Sequence, residues 1–185
     1  MFDFSTFEER LRSLEPCGIC LNPEVRAQSL LLSMSPEFYE RQPFQMILIA
    51  MGSGEERLSD GIWYFDTECI SGDGSYRSIA VRMRTLARGD LPLEDIDDYV
   101  DIEDGTAWLS FRLDGKYEKW EARVDRDWVD SSILSRLARL LESRATGRRF
   151  TYIDTMSQCC LIGCATEEEK AQLEKISGLR VQWLK

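Results

Sequence analysis

The chain has 185 residues, with 33 acidic side chains against 23 basic ones and a formal net charge of −10. That balance argues against a free-standing binder of nucleic acid or of an anionic membrane surface, since both need a basic patch. The length suffices for a hydrophobic core without disulfide staples, and one domain is the default expectation for it.

The N-terminus, MFDFSTFEERL, is acidic and amphipathic and lacks the basic and long apolar regions of a secretory signal. No apolar run approaches the ~20 residues of a membrane-spanning helix. The expected location is therefore the cytoplasm, where the six cysteines would be reduced.

Taken in order, Ser5 and Glu8 form a capping box for a helix with Phe7, Leu11 and Leu14 on its apolar side, ending near Pro16. Asn22-Pro23 predicts a second helix from Pro23 to about Met34, and Ser35-Pro36 a short third one to about Arg41. Phe44 to Met51 (FQMILIAM) is a nearly continuous apolar run and reads as an interior strand buried on both faces. Gly52 to Gly61 is a polar loop. A phosphate loop could begin at Gly52-Ser53-Gly54, but Glu55-Glu56 would set negative charge beside phosphate, so it reads as a plain loop. Ile62 to Glu68 is the next strand, antiparallel to the first. Asp73 or Ser75 caps a helix with Tyr76, Ile79, Met83 and Leu86 on its apolar side, closed by Gly89.

Residues 90–105 read as an acidic connector. Asp90, Glu94, Asp95, Asp97, Asp98, Asp101, Glu103 and Asp104 interleave with Leu91, Leu93, Ile96, Tyr99, Val100 and Ile102, with no Lys or Arg among them. The spacing does not match a calcium loop. It suits a solvated face or a surface for a basic partner, with its apolar side docked on the body.

The strongest signal follows. Two alternating runs flank Asp114-Gly115, the sequence of a type I′ hairpin turn. Pairing Leu113 with Lys116 puts Leu109 opposite Trp120 and places Ala107, Leu109, Phe111, Trp120 and Ala122 on a core face. The other face carries Trp108, Ser110, Arg112, Tyr117, Lys119, Glu121 and Arg123. Asp130 or Ser131 caps a helix with Ile133, Leu134, Leu137, Leu140 and Leu141 as its stripe, stopped by Gly147. Arg149 to Ile153 and Cys159 to Ala165 are short strands. Thr166 and Glu169 box a helix that Gly178 stops, and Val181 to Leu184 is a last strand.

The order strand, strand, helix thus recurs. It predicts an α+β fold: a mostly antiparallel sheet built from repeated strand-strand-helix units, helices mainly on one face, and an N-terminal helical segment. Residues 1–185 form a single domain in this reading, with sub-lobes 1–89 and 106–185 joined by the connector as the alternative.

The chain has no histidine, which removes imidazole bases, His-dependent nucleophiles and His-ligated metals. No phosphate-loop or dinucleotide motif is present. Cys17-Gly18-Ile19-Cys20 has the C-x-x-C spacing of a zinc site or a redox pair, and Cys160 and Cys164 would join Cys17 and Cys20 as the four ligands of the zinc site. Alternation along Cys159 to Ala165 also fits Cys160 and Cys164 as buried small hydrophobes. Nothing singles out a catalytic carboxylate pair.

The reading is therefore a non-catalytic, acidic, cytosolic protein-binding domain with a basic protein partner. It needs no cofactor and contacts neither nucleic acid nor membrane. Asp95, Asp97, Asp98, Asp101 and Glu103 would steer the partner, and Trp108, Arg112 and Tyr117 would anchor it. In size, charge and lack of catalytic motifs the chain resembles the small acidic immunity or antitoxin proteins of bacteria, which implies an inhibitor that covers the active site of a basic nuclease. The alternative is a cysteine-dependent metal-binding or thiol-redox protein.

Overall fold

The computed structural model describes residues 3–33, 35–54 and 58–185. In chain order its elements are α1 (Phe4–Leu14), a 3₁₀ turn (Glu15–Cys17), α2 (Ala27–Ser33), α3 (Pro36–Arg41), α4 (Pro43–Gly52), β1 (Ile62–Asp66), α5 (Ser75–Leu86), β2 (Glu94–Asp101), β3 (Thr106–Leu113), β4 (Lys116–Ala122), α6 (Ser131–Ser143), β5 (Arg149–Asp154), β6 (Cys159–Ala165), α7 (Glu167–Ser177) and β7 (Gln182–Trp183). The fold is α+β, with two antiparallel sheets in place of the single sheet expected. No helix among the described residues is long and apolar enough to cross a membrane. The chain divides into two compact units, Met1–Phe65 with Thr151–Trp183 and Asp66–Phe150 with Leu184–Lys185.

In the first unit α1 starts as expected, but its N-cap is Asp3. The Asp3 carboxylate accepts from the Ser5 N–H at 3.0 Å and so takes the role assigned to Ser5. The second helix begins at Ala27, not Pro23. Asn22 is held elsewhere: its N–H donates to the Leu58 carbonyl at 2.8 Å, and its side-chain oxygen accepts from the Asp60 N–H at 3.1 Å. The predicted end of that helix at Met34, and the Glu55-Glu56 pair, lie outside the described residues.

The apolar run FQMILIAM is a helix, not a strand. Pro43 sits in its first turn, where a missing N–H costs nothing, and Ile47 to Gly52 are all buried. A helix covered on every side loses the polar stripe that would reveal its period. It packs into a core with Phe7, Leu14, Leu30 and Tyr39. The Tyr39 ring meets Phe7 edge-on at 5.1 Å, and its hydroxyl donates to the Leu30 carbonyl at 2.6 Å. Gly52, the last residue of α4, lies against the backbone of Trp63 and Tyr64 in β1. The four-stranded sheet runs β1-β6-β5-β7. The Thr166/Glu169 capping box opens α7, and Gly178, at φ 69°, ends it.

In the second unit the predicted hairpin holds its register, with Leu113 opposite Lys116 and Leu109 opposite Trp120. Asp114 and Gly115 have φ of 52° and 77°, as a type I′ turn requires. Asp130 caps α6 by accepting from the Ser132 N–H. That helix ends at Ser143, before Gly147, where Ala145 takes the positive φ.

Residues 90–105 are not a connector. They contain β2, which pairs antiparallel with β3 and completes a three-stranded sheet in the order β2-β3-β4. Three strands therefore run in succession; the strand-strand-helix order is kept by β3-β4-α6 and β5-β6-α7 and fails before them, where α4 replaces the first strand. β1 also stops at Asp66, and Glu68 forms an isolated bridge with Trp128. α5 packs along β2 and β3, and α6 along β4. They cover the face on which Leu109, Phe111 and Trp120 are buried.

Candidate functional site

The face of this sheet opposite α5 and α6 gathers most of the anticipated partner residues. Register sets it: Tyr99 lies opposite Trp108, Asp97 opposite Ser110 and Glu94 opposite Arg112, and across the next pair Ser110 meets Lys119 and Arg112 meets Tyr117. Side chains at alternate positions share a face, so β2 supplies Glu94, Asp97, Tyr99 and Asp101, β3 supplies Trp108 and Arg112, and β4 supplies Tyr117 and Lys119. Tyr99 stacks on Trp108 with ring centroids 6.2 Å apart and planes 19° from parallel. The Lys119 Nζ sits 4.0 Å from the Trp108 ring centroid. One row thus crosses all three strands, held by stacking and a cation–π contact worth roughly 0.5–1 kcal/mol at an exposed site. Arg112 is fixed by an ion pair to Asp95 at 3.1 Å and a hydrogen bond to the Gly115 carbonyl at 3.4 Å. Tyr117 is the most open aromatic here, at 58% exposure.

The five anticipated acids divide sharply. Asp98 points to the covered face and is 9% exposed. Its carboxylate accepts from the backbone N–H groups of Gly74 at 2.8 Å, Tyr76 at 2.9 Å and Arg77 at 3.2 Å, and so caps α5 from the neighbouring strand. Asp73, the expected cap, instead accepts from the Val100 N–H of β2 at 2.7 Å. The two aspartates have exchanged roles: the strand residue caps the helix and the helix-side residue caps the strand. Asp101 accepts from the Asp104 N–H at 2.9 Å, closing the turn between β2 and β3. Its charge also pushes the Tyr99 hydroxyl above its ordinary pKa. Asp95 is paired with Arg112. Asp97 and Glu103 are left exposed to solvent.

Both edges of the sheet are blunted. On the β2 side Asp73 occupies the Val100 N–H, and the Arg84 guanidinium donates to the Leu93 carbonyl at 2.9 Å. The β4 edge carries Lys116, Glu118, Lys119 and Glu121, and charge of this kind discourages strand addition.

The cysteines are distributed differently. Cys17, Cys160 and Cys164 are buried and Cys20 is exposed. Among the described residues no group of three or more Cys, Asp or Glu side chains could hold a metal ion. Burial pushes the Cys160 thiol up to about 12, and raises Cys17 by burial first and the Glu169 charge second. A thiolate, the nucleophilic and metal-binding form, is scarce at such sites near neutral pH. A thiol reagent at pH 8 is expected to modify Cys20 first, and Cys17 and Cys160 only on unfolding. Peptide mass mapping checks this, and Cys20→Ser should remove the fast phase.

Burial also raises Cys69 to about 11 and Tyr39 to about 12. These groups are neutral when folded, so their contribution to stability is complete below their ordinary values of 9.0 and 10.0. Above that range unfolding releases protons, and stability should fall as pH climbs towards 12. Thermal melts between pH 8 and 11 measure the trend; a flat midpoint would contradict it.

Tyr99 is the member of the row that sequence reasoning does not assign to the partner surface, because residues 90–105 read as an acidic connector and not as a strand. The alternation Asp97, Tyr99, Asp101 against Asp98 and Val100 is the signal that places it. Compared with family models, curated proteins and solved structures, the chain finds no match.

Proposed function

We propose that this protein acts by binding, not catalysis, and that the outer face of the β2-β3-β4 sheet engages a basic protein. The observation that carries the reading is the Tyr99–Trp108–Lys119 row, flanked by Tyr117 and Arg112. Aromatic and arginine side chains held rigid before contact lose little entropy on binding, and they dominate the energetics of interfaces. The β2 column adds Glu94, Asp97 and Asp101 beside this row, in a chain of net charge −10. Acidic charge there steers a cationic partner and sets orientation. The mode is that of an inhibitor that covers a basic protein, in the general manner of immunity or antitoxin proteins.

Steering rests on Glu94, Asp97, Asp101 and Glu103, since Asp95 is ion-paired with Arg112 and Asp98 is buried. Tyr117→Ala and Trp108→Ala should each reduce partner retention about tenfold or more, the usual loss at a hot spot. Tyr117→Ala should leave the melting temperature nearly unchanged. Asp97→Asn should flatten the salt dependence of capture. The measurement is affinity capture from cytosol of the source organism at low and moderate salt, with mass spectrometry and melting curves for each variant. Equal retention by wild type, Tyr117→Ala and Trp108→Ala would rule out this face.

A further inference from the structure

We propose that a pocket of about 300 Å³ in the first unit binds a small organic cation, an ammonium group carried on a short apolar chain. The pocket is formed along one side of α1 and the turn that follows it, where Glu8, Leu11 and Arg12 and then Glu15 recur at helical spacing. Leu11 and Met51, 8% and 1% exposed, form an apolar floor. Met51 is a soft and adaptable surface for a hydrocarbon.

The rim decides the charge of the ligand. Glu8 and Glu15 contribute two carboxylates against the single guanidinium of Arg12. The Arg12 Nε donates to the carbonyl of Glu8 at 3.4 Å, so one cation stays at the rim and the two carboxylates outnumber it. An anionic rim over an apolar floor favours an amine with a hydrocarbon body and opposes the carboxylate of equal length. The volume lies at the small end of the ~300–1,000 Å³ span of ligand pockets. The site is independent of the sheet face proposed for the protein partner.

Cys20 lies at the rim and is exposed, so it reports occupancy. The experiment follows the rate of Cys20 alkylation by iodoacetamide, with the ¹³C-methyl resonance of Met51 as a second reporter on the floor. Hexylammonium chloride and sodium hexanoate are compared at equal ionic strength. Millimolar hexylammonium is expected to slow Cys20 about threefold, the protection given by about two-thirds occupancy, and to shift Met51. Hexanoate should do neither, and Glu8→Gln with Glu15→Gln should abolish both effects of the amine. If the double variant does not fold, Glu15→Gln alone should weaken them, since that residue is exposed. Equal effects from amine and carboxylate, or no response at either reporter, would overturn the proposal.

Discussion

Asp98→Ala is expected to destabilise the second unit by about 3 kcal/mol, the largest loss of any single acidic residue in residues 90–105. Removing the carboxylate strips three N–H groups at the start of α5 of their acceptor, and the one on Tyr76 is buried. Hydrogen bonds to a charged group contribute ~1.5–3 kcal/mol, and buried donors left unsatisfied add a penalty of their own. The carboxylate also faces the positive end of the helix dipole. At roughly 2–4 °C per kcal/mol for a chain of this size, the thermal midpoint should drop by about 10 °C. Asp98→Asn keeps one acceptor oxygen and should lose roughly half as much. Asp97→Ala is the control: the neighbouring carboxylate is exposed, and its change should stay within about 0.5 kcal/mol. Circular dichroism melts of the three variants decide the matter. If Asp98→Ala and Asp97→Ala melted alike, the capping role would be wrong. Neutralising these acids as a block would therefore confuse a folding defect with a binding defect.

Gly52→Ala sets two rules against each other. Helix propensity favours alanine over glycine by ~1 kcal/mol. Packing opposes it: a Cβ at this position would stand 2.5 Å from the Tyr64 nitrogen and 2.9 Å from the Trp63 carbonyl carbon. Both are backbone atoms of β1 and cannot swing aside as a side-chain tip could. Overpacking of this kind costs ~1–3 kcal/mol and occasionally more, and contact with backbone belongs at the upper end. A net loss of about 2 kcal/mol in urea unfolding is expected, and a gain would mean that α4 and β1 can separate freely. At Gly115 nothing lies near the added Cβ, and the residue is required only because φ is +77°; there the loss should be about 1–2 kcal/mol.

What was legible in the sequence follows the range of the forces involved. The Asp114-Gly115 turn, the Asp130 cap and the Thr166/Glu169 box depend on residues a few positions apart, and all stand where the local chemistry put them. FQMILIAM could not be read this way. Its conformation depends on being covered on every side by α1, α2, α3 and β6, and an apolar run carries no period to reveal that. Residues 94–101 misled for the opposite reason. Aspartate is depleted in strands, and four of the eight residues are aspartates. Asp98 is tolerated there because α5 supplies its hydrogen bonds, a partner more than twenty residues away in the chain. The hairpin placed Trp108, Arg112 and Tyr117 on one face from sequence alone. Tyr99 joins them through the pairing of β2 with β3, which sets it opposite Trp108.

The succession of β2, β3 and β4 has a consequence for the order of folding. Each strand pairs with its neighbour in sequence, across turns at 102–105 and 114–115, so little chain entropy is lost in bringing them together. The other sheet is built differently. β1 neighbours β6, and the whole of residues 66–150 lies between them in the chain. Closing that span while it is unfolded is slow. Once the intervening stretch has collapsed into its own unit, the effective loop is short. The second unit should therefore nucleate first, and the four-stranded sheet should be the late step whose strands wait for it.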